Sequence, residues 1–388
     1  MGGLSCGVVL AKNGYDVTVL EQGTQIGGCL QCFTRRGASF ETGMHFIGSA
    51  AEGQTLDRIL HFLEIRKDIQ LAELDKDGYD VVCLEKKRYR FANGRDAFIE
   101  QLAVDFPHQR EQLNRYFNLV EKVAGASSLH SLRHAESDTA ISTEFQLRSI
   151  NEVIESVITD PLLAKVLVGD LPLYAAERDK TPFSTHAFIT DFYNQSAYRI
   201  VGGSDKIAES MSNTIARYGG RVMTHHKVTK IVCDDFQATG VEVNGSQFIP
   251  CDYVISDAHP QRTLELVDSK LIRPAFRTRI NSIPQTVGCF SVYLEFKDKV
   301  VPYQNYNFYG YNYGTPWNCE EYDEQTWPKG YLYMHFCHEP LPQYAKTGVI
   351  ISYMQMKDVE QWIGTKIGRR GTDYEAFKQQ KAERLLSS

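Results

Sequence analysis

The sequence has no apolar run approaching the roughly 20 residues that a membrane-spanning helix requires, and it opens without a secretory signal. A concentrated basic face is also missing, because 48 acidic residues outnumber 42 lysines and arginines and the net charge is -6. A protein that binds the phosphates of nucleic acid needs clustered cations, so no nucleic acid partner is expected. We expect a cytoplasmic protein, with peripheral contact to a membrane as an alternative.

A second cysteine pair is lacking as well. Among nine cysteines, Cys29 and Cys32 stand in a CxxC arrangement. A zinc site of this type needs a second pair at suitable spacing, and a redox-active pair would begin a helix after a strand. We therefore expect no metal, and reduced thiols that fill space, with a redox or metal role as the weaker alternative.

What is present is most of a dinucleotide-binding βαβ unit whose opening strand is missing. Gly2 and Gly3 open a helix whose N-terminal N–H groups and positive dipole end would face a pyrophosphate. Residues 17–20 are apolar and β-branched, as in a buried parallel strand, and they end on Glu21. Glu21 follows Gly2 by about 20 positions, the spacing at which a carboxylate binds an adenosine ribose.

Three glycine-containing motifs follow. Residues 22–28 are QGTQIGG, residues 33–37 are FTRRG, and residues 40–48 are FETGMHFIG. A later block, residues 198–204, is YRIVGGS. Together these motifs resemble the phytoene desaturase, carotenoid isomerase and retinol saturase group of FAD-dependent oxidoreductases.

The resemblance implies a set of FAD-binding residues. They are Gly2 and Gly3 at the helix N terminus, Glu21 and Gln22 at the AMP ribose, Gly27 and Gly28 at the diphosphate, Arg35 just after that loop, Gly43 and Met44 beneath the flavin, and Val228 near the adenine. The resemblance also makes NAD(P) an expected electron donor or acceptor.

His45 is the candidate catalytic residue. It lies in the loop expected beneath the flavin, where an imidazole can donate a hydrogen bond or a proton as the flavin charge changes. The alternative is a structural histidine bonded to nearby backbone.

The rest of the chain predicts helices and then aromatic strands. Helical patterns occur at residues 96–102 and 113–123, with Phe106-Pro107 interrupting between them, and at residues 150–158 and 161–168. Asn244-Gly245 favours a hairpin, and residues 253–256 are predicted to form a strand. Alternating strands are expected near residues 291–296, 331–336 and 349–354. The tyrosine-rich residues 303–317 would either line a tunnel for an extended apolar substrate or pack on themselves.

With 388 residues, the chain exceeds what a single core usually supports. We expect an α/β fold: an incomplete FAD-binding, Rossmann-like domain of the glutathione-reductase type, with an α+β substrate domain. The nucleotide domain would comprise residues 1–58 and 200–265, and the substrate domain residues 59–199 and 266–388.

The resemblance implies an enzyme that moves two electrons to or from C–C bonds of a hydrophobic polyene or isoprenoid, by saturation, desaturation or isomerisation. Two alternatives remain open. The chain lacks the first strand and a late glycine-rich segment, so it is expected to be truncated at both ends and could be a fragment without turnover. It could also be a flavin amine oxidase relative that acts on C–N bonds.

Overall fold

The computed structural model describes residues 1–132, 139–267 and 269–388. Its helices are α1 (Gly2–Lys12), α2 (Thr55–Phe62), α3 (Arg95–Ala103), α4 (Arg110–Gly125), α5 (Ser128–Ser131), α6 (Thr139–Leu147), α7 (Ile150–Val157), α8 (Pro161–Val166), α9 (Phe183–Gln195), α10 (Asp205–Arg217), α11 (Pro260–Leu266), α12 (Pro274–Asn281) and α13 (Thr372–Leu386).

The strands are β1 (Thr18–Leu20), β2 (Cys32–Arg35), β3 (Ala38–Glu41), β4 (Ile47–Gly48), β5 (Leu71–Glu73), β6 (Asp80–Leu84), β7 (Lys87–Phe91), β8 (Ala197–Ile200), β9 (Arg221–Met223), β10 (Val228–Cys233), β11 (Ala238–Val243), β12 (Gln247–Pro250), β13 (Gly288–Glu295), β14 (Asn307–Tyr311), β15 (Gly330–His335) and β16 (Thr347–Met354). None of the helices in the described parts of the chain has both the length and the apolar character that a bilayer crossing requires.

The predicted nucleotide-binding unit forms a helix packed on parallel strands. Strand β1 pairs in parallel with β9, with Thr18 opposite Arg221. A Cβ added to Gly7 would lie 3.0 Å from side-chain atoms of both Val19 and Ile215. Gly7 therefore lets α1 approach β1 and α10 closely, and the α/β character of this region is confirmed.

The prediction of a strand at residues 253–256 is wrong. Residues 253–256 have no strand hydrogen-bonding pattern, and Tyr253 and Ile255 are 80% and 62% exposed. In the described parts of the chain β1 pairs with β9 alone, and no strand forms a ladder with residues 253–256. A strand needs such a partner for its backbone groups, and local β-propensity does not supply one.

The predicted hairpin at Asn244-Gly245 is confirmed. Strands β11 and β12 pair antiparallel on either side of it. Asn244 and Gly245 have φ of 54° and 78°, the positive values that a tight two-residue turn requires.

The aromatic strands assemble into one six-stranded sheet of order β13-β16-β15-β14-β6-β7. Its β14 and β6 are parallel, and its other neighbours are antiparallel. One face packs against the helices, including Phe117 of α4 and Phe183 of α9, in the largest apolar cluster. The opposite face is covered in part by α13, through Phe377 and Leu385.

Part of the tyrosine-rich segment is a central strand. Residues 307–311 form β14 between β15 and β6, and both Tyr309 and Tyr311 are buried against the helical layer. Their side chains therefore belong to the apolar cluster between the sheet and the helices.

A smaller sheet, β4-β8-β5, joins the two halves of the chain. Ile47 pairs with Tyr198, and Ala72 pairs with Arg199. This pairing brings the loop before β4 next to the glycine loop after β8. The division into two discontinuous domains stays a prediction.

Candidate functional site

The N terminus of α1, where a pyrophosphate is expected, carries an anion from the protein itself. The N–H of Gly3 donates to Asp257 Oδ2 at 2.7 Å. A Cβ added to Gly2 would lie 2.6 Å from Asp257 Oδ1. Helix N termini attract anions because their first N–H groups are unpaired and the dipole end is positive. The geometry is that of an anion site holding the Asp257 carboxylate.

Glu21 and Gln22 lie where the parallel strands β1 and β9 end. The N–H of Glu21 donates to Met223 O at 2.9 Å, and its carboxylate Oε1 accepts from the N–H of Gly23 at 2.6 Å. Gln22 is exposed in the same turn. This is the edge of the sheet at which α/β folds bind nucleotides.

Gly27 and Gly28 differ in what they face. Both have left-handed backbone, with φ of 105° and 58°. A Cβ on Gly27 would lie 2.9 Å from Ala208 Cβ in α10, whereas one on Gly28 would meet no heavy atom within 4 Å. Gly27 is needed for packing, and Gly28 leaves backbone open to an incoming group.

Gly43 and Met44 pack on the same glycine turn. The N–H of Met44 donates to Cys29 O at 3.0 Å, and a Cβ on Gly43 would lie 3.1 Å from that oxygen. The structure therefore brings together two of the predicted cofactor segments, residues 27–30 and 43–44.

Arg35 and Val228, unlike Gly43 and Met44, do not pack on the glycine turn at residues 27–30. Arg35 is exposed near the tip of the β2–β3 hairpin, opposite Ala38. Val228 begins β10 and pairs with Val243 in a small apolar cluster. Within the described ranges, no hydrogen bond or ion pair joins either residue to the turn at residues 27–30.

His45 forms a buried pair with Glu41. Glu41 Oε2 lies 3.4 Å from His45 Nδ1, and Glu41 Oε1 accepts from the N–H of Ser204 at 3.1 Å. A carboxylate at Nδ1 favours the tautomer with its proton there, which leaves a lone pair on Nε2. His45 Nε2 is buried and has no hydrogen-bond partner. This arrangement suits proton transfer at Nε2.

Arg199 is a buried cation beside this pair. The side chain is 1% exposed and donates to His45 O at 3.3 Å, to Tyr306 O at 3.1 Å and to Asn307 Oδ1 at 3.0 Å. Asn307 in turn donates to Asp80 Oδ1 at 2.7 Å. The line from Asp80 to His45 links the six-stranded sheet to the loop before β4.

His335 is held in its neutral form nearby. The N–H of Gln304 donates to His335 Nδ1 at 3.0 Å, so the ring proton lies on Nε2, which is 2.5 Å from the hydroxyl of Tyr333. Burial, together with the Arg199 guanidinium, lowers the pKa of His335 to about 4. His335 is therefore a hydrogen-bond donor to Tyr333 at neutral pH.

The cysteine pair does not form a bridge. Cys29 is exposed and Cys32 is buried, and both are free thiols. Cys32 Sγ lies 3.8 Å from Ser204 Oγ, and burial raises the pKa of Cys32 to about 11. Such a thiol stays protonated and unreactive, which fits a space-filling role. Among residues 1–132, 139–267 and 269–388, no group of three or more His, Cys, Asp or Glu side chains is arranged for a metal ion.

Three residues of the site, Glu41, Arg199 and His335, were not predicted from the sequence. Glu41 lies in the FETGMHFIG motif four residues before His45, and that spacing was the available clue. Arg199 was visible as a charge within an otherwise apolar strand before Gly202. His335 gave no clue, because its role depends on contacts with residues 303–307.

Comparisons with known proteins identify the family of this chain. The family model described as flavin containing amine oxidoreductase matches residues 1–365. The all-trans-retinol 13,14-reductase of Rattus norvegicus is 29% identical over 430 residues, an alignment that covers 100% of this chain and 70% of that protein.

Two further similarities are more distant. Prolycopene isomerase 1 of an Oncidium hybrid cultivar is 25% identical over 275 residues, which cover 66% of this chain and 46% of that protein. The crystal structure of an oxidoreductase from Methanosarcina mazei superposes with a TM-score of 0.67 at 17% identity, over 93% of this chain and 79% of that one. At this identity the superposition shows the fold alone, and it confirms the predicted fold class.

Proposed function

Because this chain belongs to the flavin-containing amine oxidoreductase family, we propose that it is an FAD-dependent oxidoreductase acting on C–C bonds of a hydrophobic polyene or isoprenoid. The observation that carries the proposal is the alignment with a retinol reductase along the whole chain. A prolycopene isomerase also aligns over much of the chain, and its name likewise indicates a polyene substrate.

The residues at the predicted nucleotide site fit an adenine dinucleotide. The N terminus of α1 already binds a carboxylate oxygen through Gly3, so it has the chemistry for a phosphate. Gly28 leaves open space beside its backbone, and Glu21 ends the parallel strand β1. Gly3 and Gly28 would hold the diphosphate, and Glu21 would bind the ribose. Asp257 would have to move from the helix N terminus.

When bound, FAD supplies two-electron transfer to or from a carbon atom. The protein supplies the accompanying proton transfer. The Nε2 lone pair of His45 can accept a proton from a substrate carbon during desaturation, and the protonated ring can return one during saturation. Glu41 stabilises the charged ring through Nδ1 in either direction.

Arg199 and Glu41 fix the position of His45 from two sides. Arg199 binds the His45 carbonyl oxygen, and Glu41 links the ring to Ser204 across the glycine loop after β8. Because these groups are buried, water is excluded from the place where Nε2 would act.

NAD(P)H is part of the proposal as the external electron donor. A cleft of about 610 Å³ is lined by His61, Arg66, Lys67 and Arg217 together with three acidic residues. Arg66 and Arg217 are paired there with Asp57 and Glu64, so Lys67 is the cation proposed to bind a phosphate of the nicotinamide nucleotide. Flavin reduction by NADH and NADPH, followed at 450 nm with the wild type and with Lys67→Glu, tests this part separately.

Reconstitution with FAD tests the main proposal. The purified chain is incubated with FAD, desalted and examined by absorbance spectroscopy. One sample is then reduced and mixed anaerobically with all-trans-retinol, and separate samples with oxidised flavin are mixed with phytoene or with an amine. We expect retained flavin and a product that differs from the substrate by two hydrogens or by double-bond geometry. A colourless protein, or oxidation of amines with no change in either polyene, would contradict the proposal.

A further inference from the structure

Two clefts on the surface of the protein share one wall. The first, at strands β5 and β8, has a volume of about 510 Å³ and is lined by residues 50–52, 66–71 and 198. The second is the cleft of about 610 Å³ for which a nicotinamide nucleotide is proposed. Glu52, Arg66 and Lys67 line both clefts. Small-molecule sites commonly have volumes of about 300–1,000 Å³, so each cleft has room for one half of a two-part ligand.

Tyr198 gives the first cleft a fixed aromatic wall. The residue lies on β8 opposite Ile47 of β4, and it packs on the apolar cluster that contains Ile47 and Ile200. Its hydroxyl donates to Glu73 Oε1 at 3.4 Å, which also holds the ring in place. A half-buried ring that lines a cleft can stack on a planar heterocycle.

The polar side chains along the first cleft are available to a ligand. Gln70 and Lys67 are exposed, and neither side chain forms a hydrogen bond or an ion pair with another described residue. Glu52 is likewise exposed and unpaired within the described part of the chain. The amide of Gln70 has a donor and an acceptor, as has a carboxamide group. The ammonium group of Lys67 can bind a phosphate as a point charge.

The cations of the second cleft are mostly paired within the protein. Arg66 Nε lies 2.9 Å from Asp57 Oδ1, and Arg217 Nη2 lies 2.7 Å from Glu64 Oε2. Among the described lining residues, Lys67 is therefore the lysine or arginine without a carboxylate partner. One such cation can bind a diphosphate, and no second one is left for a further phosphate group.

We propose that the two clefts form one site for a nicotinamide adenine dinucleotide and that this site selects NADH over NADPH. The inference rests on the proposed function and specifies its electron donor. The nicotinamide ring lies against Tyr198 with its carboxamide at Gln70, the diphosphate lies at Lys67, and the adenosine occupies the second cleft. NADPH adds a 2′-phosphate to that adenosine, where it gains no unpaired cation and is repelled by the Glu52 carboxylate.

The orientation of the dinucleotide follows from the position of the first cleft. Tyr198 precedes Arg199, which binds the backbone of His45, and it pairs with Ile47 two residues after His45. The first cleft therefore adjoins the two strands that position the candidate catalytic residue. The half of the dinucleotide that carries the electrons is assigned to this cleft for that reason.

Calorimetric titration with oxidised nucleotides tests the assignment without a redox reaction. NAD⁺ and NADP⁺, which differ in the 2′-phosphate alone, are titrated into the FAD-loaded protein, as are the two halves, nicotinamide mononucleotide and AMP. We expect NAD⁺ to bind roughly tenfold more tightly than NADP⁺. Glu52→Lys supplies a cation for the 2′-phosphate and should remove that preference by strengthening NADP⁺ binding. Glu111→Lys, the same charge change on α4, is the matched control and should keep the preference.

Variants of Tyr198 and Lys67 test where each part of the ligand lies. Tyr198→Leu should weaken NAD⁺ and nicotinamide mononucleotide by about tenfold and leave AMP unchanged, because it removes the ring on which the base stacks. Tyr198→Phe keeps the ring and should bind like the wild type, so it guards against a folding defect in the leucine variant. Lys67→Met should weaken NAD⁺ and NADP⁺ by the same factor.

The outcomes separate this inference from the proposed function. Equal affinity for the two dinucleotides, tighter binding of NADP⁺, or a Glu52→Lys variant with unchanged preference would overturn the inference. A Tyr198→Leu variant that weakens AMP rather than nicotinamide mononucleotide would overturn it as well. Binding of neither dinucleotide would also overturn it, and polyene turnover by chemically reduced protein would then leave the polyene chemistry standing. NAD⁺-selective binding that depends on Glu52 and Tyr198, without polyene turnover, would support the inference and overturn the proposed function.

Discussion

Glu41 and His45 form a buried carboxylate–imidazole pair in which Glu41 Oε2 lies 3.4 Å from His45 Nδ1. The second carboxylate oxygen accepts the N–H of Ser204 at 3.1 Å. One side chain therefore ties the loop before β4 to the loop after β8. It also leaves His45 Nε2 as an unpartnered acceptor in the interior. This relationship makes His45 a testable proton acceptor.

Replacing either member of the pair should reduce turnover without releasing flavin. His45→Ala removes the acceptor and should lower kcat by about 100-fold, a typical contribution of a general acid or base. Glu41→Gln should lower kcat by roughly tenfold and shift the pH dependence, because the charged ring loses its counter-charge. The double variant should resemble His45→Ala, since Glu41 acts through His45.

Flavin absorbance and the pH profile of kcat check these expectations. Glu209→Gln, which removes a carboxylate of a surface ion pair on α10, is the control and should behave as wild type. If His45→Ala turns over normally with flavin bound, His45 is not catalytic.

Asp257→Asn should strengthen FAD binding. The Asp257 carboxylate occupies the N terminus of α1, where the diphosphate is expected, and like charges repel. Neutralising it should lower the Kd for FAD by about fivefold, corresponding to about 1 kcal/mol. Fluorescence titration of FAD measures the change. Asp252→Asn removes a nearby exposed charge and should have a smaller effect. Weaker FAD binding in Asp257→Asn would show that the carboxylate does not compete with FAD.

The elements that could be predicted from the sequence are those that local residue patterns determine. Helix α1, the strand before Glu21 and the Asn244-Gly245 turn depend on neighbouring residues, and all three form. The strand at residues 253–256 failed because a strand also depends on a partner that no local pattern reveals.

The candidate site could be predicted only in part, because distant segments build it. The glycine motifs identified residues 43–48 and 202–204, and the structure joins them through Glu41. Arg199 and His335 gain their roles from contacts with residues 304–307. Those contacts follow from the pairing of whole sheets, which a single sequence does not specify.

Gly48→Ala should destabilise the fold. A Cβ at this position would lie 2.7 Å from the backbone oxygen of Phe192, so α9 would have to shift away from β4. Overpacking of this kind costs about 1–3 kcal/mol. Gly125 ends α4 and has no heavy atom within 4 Å of its Cβ position, so Gly125→Ala should be neutral or slightly stabilising. Urea unfolding of the two variants measures the contrast, and equal stabilities would contradict this account of Gly48.

Two buried histidines should each lower the free energy of unfolding when the pH drops below 6.5. Burial lowers the pKa of His186 to about 3, and burial with the Arg199 charge lowers that of His335 to about 4. Below pH ~6.5 the unfolded chain takes up protons that the folded protein refuses, and above it the effect is absent. Each histidine should cost roughly 2 kcal/mol between pH 6.5 and 5. Urea unfolding across this range should show a shallower loss in His335→Gln, and an unchanged slope would exclude His335 as a cause.

Asp170→Asn should become more stabilising, relative to wild type, as the pH rises. Burial raises the pKa of Asp170 to about 7, whereas the unfolded carboxyl group ionises near pH ~4. Between these values the unfolded state releases a proton that the folded state keeps, so the wild type loses stability that an asparagine retains. The difference in unfolding free energy between the two proteins should grow by about 2 to 3 kcal/mol from pH 5 to pH 8 and stay constant at higher pH. Urea unfolding at pH 5, 6, 7, 8 and 9 measures it, with exposed Asp179→Asn expected to show no such trend. A difference that does not depend on pH would mean that Asp170 is ionised in the folded protein throughout this range.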